Sequence, residues 1–406
     1  MNGIYVERFL EHKIRKYLGD REITAIVGAR QCGKTTLMRH MFDGLKKAEF
    51  ISFEDRDILD MFTKNIKEFI ARYVEGNRYL FIDEFQYAKQ GGKGLKFIYD
   101  TCKTKIIISG SSTAELSIQS IKYLVGRVLV FTLFPFSFEE FLKHREEKLH
   151  DILFHKSAHG TSETSNRMIR RLYDEYLIYG GYPRVVLEKD NGKKQELLRN
   201  IYNTYLLREI KEILQITEDQ KINRLIKALA LQVCGIVNYN EVSSITGIEF
   251  HQLKKYMNIL EKTFVVLESR PFFRNKRREL VKAPKLYFLD NGFRNIAINN
   301  FQGIEHRTDK GAINENFVAS EISKMGYELR YWRTKSGAEV DFVIEKNGKL
   351  IPIEVKSNLK ATKLTRSFNS FLDKYRPGRG LVLSESLMGA KKGIRFRPIF
   401  YVSKGI

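Results

Sequence analysis

The segment Gly28-Ala29-Arg30-Gln31-Cys32-Gly33-Lys34-Thr35 constrains the chain more than any other stretch. It fits the spacing G-x-x-x-x-G-K-[ST], with the apolar run ITAIV before it and the helix-forming TLMRHMF after it. A strand, a glycine-bearing loop and a helix in that order present backbone N–H groups to a polyphosphate, so the sequence predicts an α/β P-loop domain. Residues Gly28 to Gly33 and the helix start Lys34, Thr35 and Thr36 are expected to cradle ATP. Within them Lys34 would neutralise the β- and γ-phosphate oxygens and Thr35 would ligate Mg²⁺. Cys32 is read as a small packing residue in preference to a redox switch.

Downstream, Arg78-Tyr79-Leu80-Phe81-Ile82-Asp83-Glu84 carries two carboxylates to the end of a buried strand, where open α/β sheets place their ligands. Asp83 is expected to hold Mg²⁺ through water and Glu84 to polarise the attacking water; the alternative is an ordinary strand ending in a solvated acidic turn. The strand Lys105 to Ser109 runs into Gly110-Ser111-Ser112, which makes Ser111 the expected γ-phosphate sensor. Arg127 sits before the strand VLVFTL, a placement suited either to an arginine finger acting across a subunit boundary or to a plain surface charge.

Strand-like runs alternate with helical stretches over residues 1–145, the pattern of a parallel sheet covered by helices. Residues 146–220 read as a polar linker and a helical lid, interrupted by Tyr179-Gly180-Gly181-Tyr182-Pro183. Residues 221–305 give three helical patterns and two strands, the order of a winged helix-turn-helix. Residues 306–406 run helix, three strands, helix, strand, a further α/β unit.

That last unit holds the second chemical signal. Asp341 lies on one strand and Glu354-Val355-Lys356 on the next, joined by an Asn347-Gly348 turn that predicts a hairpin. Strand alternation puts Glu354 and Lys356 on one face, and Glu315 on the preceding helix could converge with them. Three carboxylates and an ammonium suit metal-assisted phosphodiester hydrolysis: Glu315, Asp341 and Glu354 as Mg²⁺ ligands, Lys356 as the group that orients or deprotonates water. The alternatives are an inherited fold used only for binding, or exposed charge on a polar sheet face.

The formal net charge of +22 favours a polyanionic partner, with DNA as the leading expectation and a generally basic proteome as the bland one. Between Glu268 and Lys282 six basic residues, Arg270, Arg274, Lys276, Arg277, Arg278 and Lys282, flank Phe272 and Phe273. Such a wing suits a DNA backbone, with Gln252, Lys254 and Lys255 on the preceding helix entering a groove; a winged helix can equally bind protein. The three cysteines, Cys32, Cys102 and Cys234, have neither metal-ligand spacing nor an even count. No run approaches about eighteen apolar residues and no signal peptide is legible, so the expectation is a cytoplasmic chain without membrane contact.

The segments GARQCGKTTL, LFIDEFQYA, IISGSSTAEL, LVGRV, FPFSFEEF, YLIYGGYPRVV, APKLYFLDNGF, GAINENFVASEI, YWRTKSGAEVDFVIE and IPIEVKS together resemble the bacterial and archaeal AAA-type ATP-binding proteins whose C-terminal domain of unknown function has a restriction-endonuclease-like, PD-(D/E)xK core. The resemblance covers the chain nearly end to end. It implies ATP and Mg²⁺ at Lys34, Thr35, Asp83 and Glu84, nuclease-type positions at Glu315, Asp341, Glu354 and Lys356, and oligomerisation through the ATPase.

Overall fold

Successive residues of one strand serve two different cores: Ile23 and Ala25 face one layer, Ile26 the other, and all three are buried. Only a sheet covered on both sides asks this of its strands. In the computed structural model, which describes residues 5–111, 121–155, 162–207, 210, 219–275, 279 and 282–406, that sheet has five parallel strands. They are β1 (Ile23–Gly28), β2 (Ala48–Ser52), β3 (Tyr79–Asp83), β4 (Lys105–Ser111) and β5 (Val128–Thr132), in the order β2-β3-β4-β1-β5. On one face Leu80, Ile82, Ile106 and Ile108 pack with Phe53, Phe62, Phe69 and Phe85; on the other Phe81, Ile107 and Phe131 meet Leu37, Met38 and Met41 of the helix Lys34–Asp43. Truncating one such side chain to alanine costs about 2–5 kcal/mol, so this framework holds the strand ends in fixed register.

The chain separates into two compact units, the first covering residues 1–136 with 262–264, the second 137–261 with 265–406. In the second unit the helix Glu163–Tyr179 ends where predicted, at Gly180. Gly180 has φ +75°, and a Cβ there would meet Asp290 Oδ1 at 2.0 Å. The reason is an interlock. Asp290 accepts from Gly181 N at 2.7 Å and Phe293 N at 3.1 Å, while Asn295 Nδ2 donates to Leu177 O and Ile178 O, both at 2.9 Å. YLIYGGYP and LDNGF are thus two halves of one buried polar clamp, every contact of which satisfies a backbone group that would otherwise be desolvated.

Helices Asp219–Leu231, Tyr239–Thr246 and Phe250–Lys262 precede the antiparallel pair β6 (Val266–Pro271) and β7 (Lys285–Phe288). A single apolar core joins Tyr182, Val185 and Leu198 to Leu225, Leu253, Leu260 and Phe288. β6 then pairs in parallel with β8 (Arg330–Arg333), which pairs with β9 (Glu339–Val340) to give the four-stranded order β7-β6-β8-β9. A five-stranded sheet follows, ordered β10-β11-β12-β14-β13, from β10 (Phe342–Lys346), β11 (Lys349–Lys356), β12 (Gly380–Ser384), β13 (Gly389–Lys391) and β14 (Ile394–Pro398). The predicted single strand AEVDFVIE is therefore two strands belonging to two sheets, and the residue between them is Asp341. The Asn347-Gly348 turn forms as expected, both residues at positive φ (52° and 72°), the backbone of a tight hairpin. Among the described residues no helix is long and apolar enough to cross a membrane.

Candidate phosphate and carboxylate sites

Gly28 closes β1 at φ +156°, where a Cβ would stand 2.0 Å from Leu133 O; only glycine lets the loop begin there. Gln31 (φ 60°) and Gly33 (φ 95°) turn the loop through the left-handed region, so that successive N–H groups line a concavity at the start of the helix Lys34–Asp43. Lys34 is buried, and its Nζ donates to Gly28 O and Ala29 O, each at 3.0 Å. Neither carbonyl carries a formal charge to balance the ammonium, which is the electrostatic demand a polyphosphate meets. Thr35 is half-buried in the first turn and Thr36 is exposed. Cys32 is buried, with Sγ donating to Leu133 O at 3.3 Å, in keeping with packing. A residue that sequence reasoning missed supports the loop from behind: buried Arg8 donates to Cys32 O at 2.9 Å and to Phe134 O at 2.6 Å.

β4 separates β1 from β3, so the loop and Asp83 flank the same strand end. Asp83 is buried and accepts from the Ser109 hydroxyl and from Glu84 N at 3.1 Å. Glu84 has φ 53°, an energetically costly backbone for a non-glycine residue, and its carboxylate accepts from the Gln86 amide. Ser109, not singled out from sequence, is thus the hydroxyl that orients Asp83. Ser111 ends β4 beside Gly28, and its side chain lies outside the described residues. Arg127 stands at the other end of the sheet: its carbonyl accepts from Ile23 N at 2.8 Å, about 17 Å of strand from the loop. There its Nε pairs with Asp100 at 3.3 Å, so it does not reach the phosphate loop of its own chain.

The second constellation is assembled from four separate stretches. Register sets Phe342 opposite Ile353, which brings Asp341 next to Glu354, and Asp341 accepts from Val355 N at 2.8 Å. Glu354 is buried, accepts from Thr365 Oγ1 at 3.0 and 3.1 Å, and lies 3.2 Å from Lys356 Nζ. On the helix Lys310–Lys324, Asn314, Glu315 and Asn316 point about 100° apart. Asn314 accepts from Tyr173 OH at 2.7 Å and Asn316 bonds Phe288 N and O at 2.6 and 3.0 Å, both structural, which leaves Glu315 for the cluster. Glu315 accepts from Tyr287 OH at 2.8 Å and lies 3.3 Å from Lys285 Nζ, which also reaches Glu339 at 2.5 Å. Lys285, Tyr287 and Glu339 were not foreseen. The one clue was a lysine opening the otherwise apolar KLYFL.

Burial, and then the nearby Asp341 charge, push the Glu315 carboxyl up to about 7. Burial likewise raises Asp341 and Glu354. Lys356 is opposed by burial but held above the usual lysine range by Asp341 and Glu354. Glu315, Asp341 and Glu354 offer hard oxygen donors, the donor type that Mg²⁺ takes, and with Glu339 they outnumber the ammonium groups of Lys285 and Lys356 beside them. Of the basic wing, Arg274 and Lys282 are exposed, while Lys276, Arg277 and Arg278 lie outside the described residues.

Comparison with known proteins divides the chain in three. Residues 20–142 match an AAA domain, residues 170–303 a domain of unknown function (DUF8612), and residues 310–399 another domain of unknown function (DUF4143). An uncharacterized protein of Haemophilus influenzae is 25% identical over 369 residues, covering 86% of this chain and 85% of its own. One from Methanocaldococcus jannaschii is 24% identical over 362 residues, covering 86% and 78%. Among solved structures, the Walker-type ATPase PABY2304 of Pyrococcus abyssi aligns with a TM-score of 0.46 at 14% identity, over 72% of this chain and 96% of its own. The family match over residues 20–142 falls on the strand, loop and helix that hold Lys34, and it supports an AAA-type P-loop ATPase domain that binds and hydrolyses nucleotide.

Proposed function

We propose that this AAA-type protein hydrolyses ATP with Mg²⁺ at Lys34, Thr35, Asp83 and Glu84, and acts on DNA, cutting phosphodiester bonds at Glu315, Asp341, Glu354 and Lys356. The observation that carries the second half is Asp341 beside Glu354 and Lys356 across the β10–β11 register, with Glu315 of the helix Lys310–Lys324 buried within reach of the Asp341 charge. In the first site Lys34 and the loop N–H groups bind the phosphates, the Thr35 hydroxyl and Asp83 hold the ion, and Glu84 orients water. In the second, Glu315, Asp341 and Glu354 would hold a Mg²⁺, which supplies Lewis acidity at a phosphoryl oxygen. Lys356, half-exposed beside Glu354, would orient or deprotonate the water. DNA contact is supported by the order of helices and hairpin over residues 219–288 and by exposed Gln252, Lys254, Lys255 and Arg274. Arg127, turned away from its own loop, serves a neighbouring subunit's nucleotide if the protein assembles as a homo-oligomer.

One observation favours a second reading, a nucleotide-dependent switch that binds a protein partner through a silent nuclease fold. The Lys285 ammonium is shared between Glu315 and Glu339 and offsets part of their charge, occupying the position where a cation would otherwise bind Glu315. The two readings part in one assay: ATP turnover in Mg²⁺ with and without duplex, single-stranded and branched DNA, following end-labelled DNA in the same tubes. Stimulated turnover with Mg²⁺-dependent cutting supports the first reading. Turnover indifferent to every DNA, with no cutting, supports the second.

A further inference from the structure

A third group of ligand-type side chains lies in the second unit, away from both clusters in sequence. The helix Glu147–Phe154 closes on His155, and His150, Asp151 and His155 bring one donor atom each within 4.8 Å of one another. His150 Nδ1 is 3.2 Å from Asp151 Oδ1, and the two imidazole rings have centroids 5.5 Å apart. The other ring nitrogen makes the arrangement more than a surface coincidence. His150 is 4% exposed, and its Nε2 is buried with no hydrogen-bond partner, a state that is costly unless something offsets it. The nearest carboxylate, Glu139 Oε1 on the helix Phe138–Arg145, stands 3.7 Å from that nitrogen, just beyond bonding distance.

We infer that His150 Nδ1, His155 and Asp151 form a site for a zinc-class dication, with Glu139 as the carboxylate behind His150. A ligating histidine characteristically donates its second N–H to a carboxylate, which fixes the ring and strengthens it as a donor. Here the ion on Nδ1 would set the tautomer that carries hydrogen on Nε2 and draw it onto Glu139, filling the vacant bond. Tetrahedral Zn–N and Zn–O bonds of about 2.0–2.1 Å require donors roughly 3.4 Å apart. The present spread therefore closes by up to about 1.4 Å, and Asp151 and His155 are both exposed, with room to rotate inward. Two imidazoles select zinc-like ions over Mg²⁺, which prefers all-oxygen sites. Three protein ligands leave the fourth position to water or to an incoming group.

The test is a Co²⁺ titration of the full chain in saturating Mg²⁺, which occupies the oxygen sites, reading the visible d–d band and repeating it by zinc calorimetry. The inference predicts one equivalent bound by wild type, at least ten-fold weaker binding for His155→Ala and Asp151→Asn, and roughly ten-fold weaker binding for Glu139→Gln. The first two substitutions are at exposed positions and leave the fold intact, which circular dichroism verifies. Wild type that takes up no ion under these conditions, or His155→Ala that binds as tightly as wild type, overturns the site.

Discussion

The phosphate loop and the Glu315–Asp341–Glu354 cluster both place carboxylates or cations at strand ends, yet they are built in opposite ways. The loop's proposed ligand groups come mostly from nine contiguous residues, Gly28 to Thr36, several held by backbone whose φ values admit few alternatives. The cluster takes its groups from positions 285, 287, 315, 339, 341, 354 and 356, and its geometry depends on side chains held by strand register and one buried ammonium. A site made of backbone tolerates changes around it and fails when one cation is removed. A site made of register and paired charge is sensitive to its supports.

Lys34→Ala should give the largest effect, a loss of ATP turnover of roughly 100-fold or more measured by phosphate release, with thermal stability close to wild type. Normal turnover would break the distinction at once. Next comes Lys285→Met. Removing a buried ammonium leaves Glu315 and Glu339 with uncompensated charge, so the second unit should lose about 3–5 kcal/mol in chelator, with part of the loss regained on adding Mn²⁺. Denaturant melts with and without the ion measure this, and a loss that Mn²⁺ leaves untouched would mean the cluster holds no cation. Asp290→Ala strands the Gly181 and Phe293 N–H groups and should cost about 1–3 kcal/mol by the same melts, without altering nucleotide turnover. The smallest effect is expected from Thr36→Ala. That side chain is exposed, so stability should shift by less than about 0.5 kcal/mol, and a large fall in turnover would show that the hydroxyl touches nucleotide.

The same contrast explains what was legible in the sequence. Strand-loop-helix around Gly28 and Lys34 is readable because backbone at positive φ demands the glycines, and the lysine and threonine that suit phosphate follow at a fixed spacing. The β10–β11 hairpin was readable because Asn-Gly specifies its turn. Arg8 and Ser109, which brace the loop and Asp83, carry no local signature, since a buried arginine far along the chain looks like any surface charge. Lys285 and Glu339 were hidden for a related reason: they join the cluster only because β6 pairs with both β7 and β8, a long-range contact that periodicity does not encode. The split of AEVDFVIE at Asp341 was likewise invisible, because both halves alternate as strands and only tertiary pairing assigns them to different sheets.

The most direct test follows ATP hydrolysis and scission of labelled DNA together, in Mg²⁺, for wild type, Lys34→Ala and Asp341→Ala. Two chemically separate sites predict that Asp341→Ala abolishes scission and keeps ATP turnover, while Lys34→Ala abolishes turnover. Wild type that hydrolyses ATP and never cuts, or Asp341→Ala that cuts as fast as wild type, would contradict a hydrolytic role for the carboxylate cluster.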